Sequence, residues 1–436
     1  AAAGEAGCAG AQGPAQRPPA WIWAAGALMA FASNANFSII MPTSREVAEV
    51  AGGGTRLSGL VIGAWAAGAM VGLPFFFLAG HRRIRTCYLA HAGFVLLGSA
   101  LQLLAFTAPG RDPSFLGYYV LARCVQGLGA GAIYTSSLAL TNASHPSIRT
   151  EYYGYWLGGS ASGIVCGPLL SSLGELVVGA LGAGAARSPA LAAPAAIIAV
   201  YAAVMMLLTL FFCPSDGTLE SACQAASSPG EPAAGTPAAD KGSPLQRWRA
   251  ARAALGMALI LATQLTRTLL RVVWESGSLL LLQEFGLSRV AAGAVISAAA
   301  AVLALAQLGV GAGIGMYASR VGKRPSDHEL VRSLEVLGAA GLVLLLRPGL
   351  ATFLAGSVTL YVANSLTAAP TMAFCVGLGA ESTAWLSVES MLLANKGVWL
   401  LSCLAAPVYS RAVLALGAPT PPALVLSLAP IVACQA

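Results

Sequence analysis

Charge is scarce in this 436-residue chain: Asp, Glu, Lys and Arg make up 9% of it, against about 25% in an average soluble domain. That argues against a water-soluble fold. Metal-binding spacing is missing as well. The nine cysteines and four histidines are dispersed, with no CxxC pair, no HExxH and no Cys/His cluster, so no metal site or metal enzyme is expected. Most of the cysteines (Cys87, Cys124, Cys166, Cys213, Cys375 and Cys403) fall inside apolar runs, where a cysteine serves as a small packing residue. The apolar runs hold no nucleophile and base in a recognisable pair, so neither catalysis nor a cofactor is expected. The net charge is +7, but the basic residues lie in short segments between apolar runs rather than in a patch, so nucleic acid is not an expected partner.

What the chain has instead is apolar length. Hydrophobic residues make up 57% of it and the mean hydropathy is +0.74. They gather in runs of roughly 20, enough to cross about 30 Å of hydrocarbon at 1.5 Å per helical residue. The expected fold is an all-α membrane protein with twelve transmembrane helices, at residues 21–41, 57–80, 87–107, 117–140, 153–174, 191–213, 253–276, 291–315, 333–347, 350–373, 390–412 and 421–436. Residues 214–250 are polar and rich in Pro, Gly and Ser, and read as a flexible cytosolic linker between two six-helix bundles, 21–213 and 251–436. Residues 1–20 are rich in Ala, Gly and Pro and are expected to be disordered. The chain opens on Ala1 and closes on Ala436 without a charged flank, which leaves room for a missing N-terminal domain and a truncated last helix.

Basic residues orient such a protein, because Lys and Arg are retained on the cytosolic side. Thirteen of the 24 lie on the side of the N-terminus and the linker, seven on the other, and Arg123, Arg267, Arg271 and Lys396 lie within spans. The termini and linker are therefore expected to be cytosolic. That topology removes the two glycosylation sequons, Asn36-Phe37-Ser38 inside the first span and Asn142-Ala143-Ser144 on the cytosolic side. The halves also echo each other, with HRRIRT after the second span and SRVGKR after the eighth. Repeats across a linker are a transporter signature, with the binding site between them near the midplane.

Three motifs carry a family resemblance. GMYASRVGKR (315–324) keeps Arg320, Gly322, Lys323 and Arg324 of a loop signature whose acid is replaced by Ser319; FLAGHRRIRT in the first half keeps Arg82 and Arg85, with His81 at the acidic position. RCVQGLGAG (123–131) places Arg123, Gln126 and Gly127 in an Arg-x-x-Gln-Gly pattern on the fourth span. GYWLGGSASGIVCGP (154–168) has Gly154, Gly163 and Gly167-Pro168 on the fifth, with Ser171-Ser172 where the pattern closes on Gly-Gly. Together these resemble the major facilitator superfamily, and the resemblance implies two pseudo-symmetric bundles and alternating access. NFSIIMPTS (36–44), GLVIGAWAAG (59–68), YYVLARCVQGLGAG (118–131) and ESGSLL (275–280) further resemble the transport domain of SPX-type vacuolar phosphate transporters and their lysosomal relatives. That narrower resemblance implies phosphate as solute and a vacuolar or lysosomal membrane, with the plasma membrane as the alternative.

The densest charge inside an apolar run is TRTLLRVVWE (266–275), with Arg267, Arg271 and Glu275 at intervals of four. Arg267 comes fifteen residues after Arg252, roughly 22 Å of helix, too deep to reach the cytosolic surface comfortably. Charges at such depth normally face an interior pathway. Arg123, Arg267, Arg271 and Lys396 outnumber Glu275 and the interfacial Glu389, so a net-positive cavity and a small anion as solute are expected. Arg267, Arg271, Arg123, Lys396, Asn36 and Gln264 are the expected solute-binding residues, and Glu275 is either the partner of Arg271 or the carrier of a coupling proton. The reading is a monomeric secondary transporter. The rivals are a proton-coupled antiporter of organic or drug-like solutes, which the fifth-span motif favours, and a non-transporting receptor on the same fold. Few aromatics, 7%, weigh against a hydrophobic cation as cargo.

Overall fold

The computed structural model of the protein describes residues 20–80, 83–107, 114–143, 146–180, 187–218, 244–288, 290–299, 301–302, 305–306, 320, 327–367 and 388–416. Regular structure among the described residues is helical. In lipid the backbone must satisfy its own hydrogen bonds, and a helix does so within one segment. The first half contains α1 (Ala20–Ser38), α2 (Ser44–Val50), α3 (Thr55–Gly80), α4 (Ile84–Thr107), α5 (Ser114–Ala143), α6 (Pro146–Ala180) and α7 (Arg187–Phe212). The second contains α8 (Pro244–Glu284), α9 (Val290–Ala299), α10 (Asp327–Leu345), α11 (Leu350–Leu366) and α12 (Val388–Leu416).

Among the described residues, six segments are long and apolar enough to cross a membrane: Thr55–Ala79, Ile84–Phe106, Tyr155–Val178, Ala190–Phe212, Ala254–Glu284 and Ser390–Leu416. The protein is thus an all-α, multi-pass membrane protein. Among the other expected spans, α11 is 17 residues long, α10 opens on a charged stretch that includes Glu329, Arg332 and Glu335, the run at 291–315 is described in part, and the one at 421–436 lies outside the described residues. Helix α8 begins at Pro244, inside the expected linker. Proline suits a first helical turn, where its missing N–H has no intrahelical partner to lose.

Backbone contact through small residues positions the helices of the first half. Helix α3 packs on α5, α4 on α5 and α7, and α1 on α6. A Cβ at Gly127 of α5 would fall on the carbonyl oxygen of Trp65 in α3, and one at Gly163 of α6 on that of Phe31 in α1. Such close approach between membrane helices depends on glycine at these positions. Gly154, Gly167 and Pro168 lie on α6 with Gly163, and a Cβ at Gly167 would strike the Ser38 hydroxyl. In the second half α8 packs on α12 and α10 on α11.

The two halves meet chiefly through α12, which packs on α3 and α5. Contacts gather toward the end of the molecule that carries residues 39–54. There a Cβ at Gly59 would lie 2.5 Å from the Pro407 carbonyl oxygen, and one at Gly63 2.8 Å from that of Leu404. Nearby, the Ser297 hydroxyl on α9 donates to the Val165 carbonyl on α6 at 2.7 Å. Arg411 sits at this end too. The sequence counts it among the basic residues of the non-cytosolic side, at the end of the run 390–412; it belongs to the last turns of α12 and is 0% exposed, with Nη2 3.5 Å from the Ser44 hydroxyl. The helix runs on to Leu416, past the boundary that hydropathy suggested, and draws Arg411 under α2. The structure is therefore shut at the 39–54 end.

Candidate functional site

The charged side chains inside the helices separate into three environments. The first is a lock in the first half. Arg123, 1% exposed, donates from Nη1 to the Asn36 carbonyl at 3.0 Å, the Asn36 Oδ1 at 2.9 Å and the Gln126 Oε1 at 2.7 Å, and from Nη2 to the Phe37 carbonyl at 3.3 Å. Gln126 then donates to Ser99 Oγ at 3.0 Å and Gln102 Oε1 at 2.8 Å on α4. The carbonyls come from the last turn of α1, where the helix dipole favours a cation. Arg123 and Asn36 therefore tie α5 to α1, and neither lines either of the two cavities described below.

The second environment is a partly open cavity between the halves. Its first-half wall is Trp156, Leu157 and Ser160 of α6; α8 supplies Gln264, Arg267 and Thr268, α11 supplies Asn364, and α12 supplies Asn395, Lys396 and Trp399. Both cations are nearly buried, at 5% exposure each. The Arg267 guanidinium donates from Nη2 to the carboxylate of Glu335, a half-exposed residue on α10. The Lys396 ammonium lies 3.7 Å from the centre of the Trp156 ring and 5.4 Å from that of Tyr134. Tyr134 also packs on Trp399 at 5.3 Å, and Trp399 on Trp65 at 6.5 Å. A second-half cation thus sits on aromatic faces of the first half, an attraction worth about 2 kcal/mol or more when desolvated. The contact joins α12 to α5 and α6.

The third environment is a separate, partly open cavity within the second half, formed by α8, α9 and α11. Glu275 lines it with Ser278, Phe353 and Ser357, and the Tyr361 hydroxyl donates to the Glu275 carboxylate. Eight residues at 3.6 per turn are about 2.2 turns, so Glu275 faces some 80° away from Arg267. The charged stripe winds out of one cavity and into another. The side chain of Arg271 lies outside the described residues, and so do those of Glu389, Arg149 and Glu151.

The loop signatures are described only in part. Arg82, Gly322, Lys323 and Arg324 lie outside the described residues, and Arg320 is exposed. Arg85 anchors the start of α4: its Nη2 donates to the Leu210 carbonyl at the end of α7 at 2.9 Å. The Asp216 carboxylate accepts from the backbone N–H groups of Arg85 at 2.7 Å and Thr86 at 3.3 Å. An acid 131 residues downstream thus caps α4, which the sequence motif did not reveal.

The arrangement brings Gln264, Arg267 and Lys396 together across one cavity. Trp156 and Asn395, which sequence reasoning had not assigned to a site, line it too, and Glu335 reaches Arg267 from α10. The Glu335 signal was a lone acid two residues inside the run expected at 333–347. Side chains that donate, accept and stack can hold a polar solute there.

The profile of the Major Facilitator Superfamily matches residues 23–413. No curated protein matches the chain. Among solved structures, the xylose transporter XylE from E. coli in a partially occluded inward-open conformation is similar, with a TM-score of 0.64 and 12% identity over 94% of this chain and 97% of that one. At that identity the likeness speaks for the fold. The superfamily match is not specific to the SPX-type group. The chain belongs to the major facilitator superfamily, and is a multi-pass membrane transporter, not an enzyme, that moves a small solute by alternating access.

Proposed function

We propose that the solute is a small anion held in the inter-half cavity, with its acid group on Arg267 and Lys396. The observation that carries this is the convergence of those two nearly buried cations on one cavity whose opposite wall belongs to the other half. A guanidinium offers paired donors to a carboxylate or phosphate, and an ammonium drawn from an aromatic face onto the solute would report binding to the first half. Gln264, Asn364 and Asn395 supply donors and acceptors for polar groups beyond the acid. Inorganic phosphate, the solute implied by the SPX-type resemblance, is the smallest candidate, and a hydroxylated organic anion uses more of the lining.

With the linker end cytosolic, as the basic residues suggest, the closed 39–54 end makes this an inward-facing state. Two six-helix bundles, 21–213 and 251–436, rocking about the cavity complete the reading, with a vacuolar, lysosomal or plasma membrane as the setting and a monomer as the working unit. A second reading is an uncharged polyol. Three amide side chains and two tryptophans line the cavity, and the similar structure is that of a xylose transporter. Proton-coupled exchange of an organic solute remains compatible with the same cavity.

Hydrogen bonds to charged groups contribute about 1.5–3 kcal/mol, or about 10–100-fold in affinity. Arg267→Ala and Lys396→Ala are each expected to lower anion uptake into proteoliposomes by at least about tenfold, with normal yield and monodispersity. Wild-type uptake by both variants, or saturable binding of xylose with none of any anion, rejects the anion reading.

A further inference from the structure

One buried cation stands apart from both cavities. Arg411 lies near the shut end of the molecule and is 0% exposed. Its Nη2 is 3.5 Å from the Ser44 hydroxyl, the far limit of a hydrogen bond, and its Nε and Nη1 have no hydrogen-bond partner among the described residues. The hydroxyls beside it are already committed. Ser44 donates to the Met41 carbonyl at 2.9 Å, and Ser410 is shared between Ser276 at 2.6 Å and the Pro407 carbonyl at 3.2 Å. The charge that acts on Arg411 from its surroundings is a second cation, Arg45, whose own partner Glu49 lies 2.9 Å from it on the exposed side of α2.

A guanidinium keeps its proton inside a protein, so titration does not remove this charge. A buried charge without a counter-charge strongly disfavours the state that buries it. Closing the 39–54 end is what buries Arg411, because α2 and α3 belong to the first half and α12 to the second. The shut end therefore calls for a negative charge that the described residues do not supply.

We propose that the closed 39–54 end binds a small monovalent anion of the halide class, chloride in a cell, on the Arg411 guanidinium, and that this ion stabilises the closed state. One positive charge calls for one negative charge. Size follows from packing. A Cβ at Gly59 would lie 2.5 Å from the Pro407 carbonyl oxygen, so the halves are in backbone contact one turn before Arg411, which leaves sulfate or a lipid phosphate no way in under α2. A halide needs only N–H donors, and Nε and Nη1 offer them. The site is distinct from the solute cavity, since Lys396 lies fifteen residues earlier on α12, roughly 22 Å along the helix. Binding there shifts the population toward the closed state without competing with the solute. The inference holds whatever the solute is.

The test uses the purified full-length chain in detergent, with chloride titrated against gluconate at constant ionic strength. Radiolabelled chloride should bind saturably, and saturation should raise the wild-type thermal midpoint by at least about 2 °C. Bromide should act likewise and sulfate should not. Arg411→Met removes the charge instead of neutralising it, so it should be at least as stable as wild type in gluconate and ignore chloride. Arg411→Lys should keep a response at about tenfold lower affinity. Gly59→Leu, which holds the end open, should bind chloride about tenfold more weakly. The paired variant Arg267→Ala with Lys396→Ala should keep the wild-type response. No chloride binding by wild type, a response that survives Arg411→Met, or one lost in the paired variant of the solute cavity overturns the proposal. If Arg411→Met yields no folded protein, unchanged chloride affinity in both Arg411→Lys and Gly59→Leu overturns it instead.

Discussion

Arg123→Met is expected to abolish folded protein, whereas Arg267→Ala keeps it. Both are arginines inside apolar helices, and the difference lies in what surrounds them. Removing the Arg123 guanidinium leaves the Asn36 and Phe37 carbonyls, the Asn36 Oδ1 and the Gln126 Oε1 without its N–H donors at a position that is 1% exposed. Breaking a buried charged network by deleting one partner costs about 3–5 kcal/mol, and further polar groups on α4, Ser99 and Gln102, depend on the same Gln126. The total stability of a domain is only about 5–15 kcal/mol. The measurement is the thermal midpoint and the monodisperse yield in detergent. A variant that purifies with wild-type stability yet fails to bind any solute would return Arg123 to the binding site.

This contrast shows what the sequence could and could not carry. Apolar length located the helices well, because crossing hydrocarbon demands it; the expected runs at 87–107 and 117–140 lie inside α4 and α5. An arginine in such a run is conspicuous, which is why Arg123 and Arg267 stood out together. Its partners are not conspicuous, since they arrive from other helices. The Arg123 partners on α1 are 86 and 87 residues away, and periodicity along one helix holds no information about them. Glu335 was obscured differently. It follows Arg332 by one turn at the charged start of α10 and reads as an interfacial residue until the tertiary structure sets it on Arg267.

The four-residue spacing of 267, 271 and 275 misled for a geometric reason. Four residues overshoot a 3.6-residue turn by about 40°, and two such steps carry a side chain onto a neighbouring face. Across an interface between three or four helices that rotation is enough to exchange the inter-half cavity for the one inside the second half. Lys396 was legible as a buried cation, but the rings beneath it were not. Trp156 belongs to the fifth-span motif only as an unmarked position, and Tyr134 to no motif.

Gly59→Leu is expected to stop transport without harming the fold, by preventing the 39–54 end from closing. Gly59 faces the other half: its nearest neighbours are the Pro407 carbonyl and the Val408 Cα of α12, both within 2.8 Å of where a Cβ would stand. These are backbone atoms, which cannot turn aside as a side chain can, so a leucine must push α12 away. Gly127 is the control, because its Cβ would meet Trp65 within the same half. Gly127→Leu should therefore lose folded protein where Gly59→Leu does not. A wedge at Gly59 favours the state open at the 39–54 end. In that state Arg411, fully buried here with Nε and Nη1 unbonded among the described residues, regains water, so its desolvation adds to the bias. The measurement is the labelling of a Ser44→Cys probe, in an otherwise cysteine-free chain, by a membrane-impermeant thiol reagent. Ser44 is 0% exposed in the closed form, and Gly59→Leu should raise its labelling rate by at least about tenfold, an equilibrium shift of about 1.4 kcal/mol. Uptake should fall by a similar factor or more, since a carrier that cannot close one end cannot complete its cycle. Wild-type labelling together with wild-type uptake would mean that α3 and α12 separate more easily than their backbone contact implies, and that the closed end is held elsewhere.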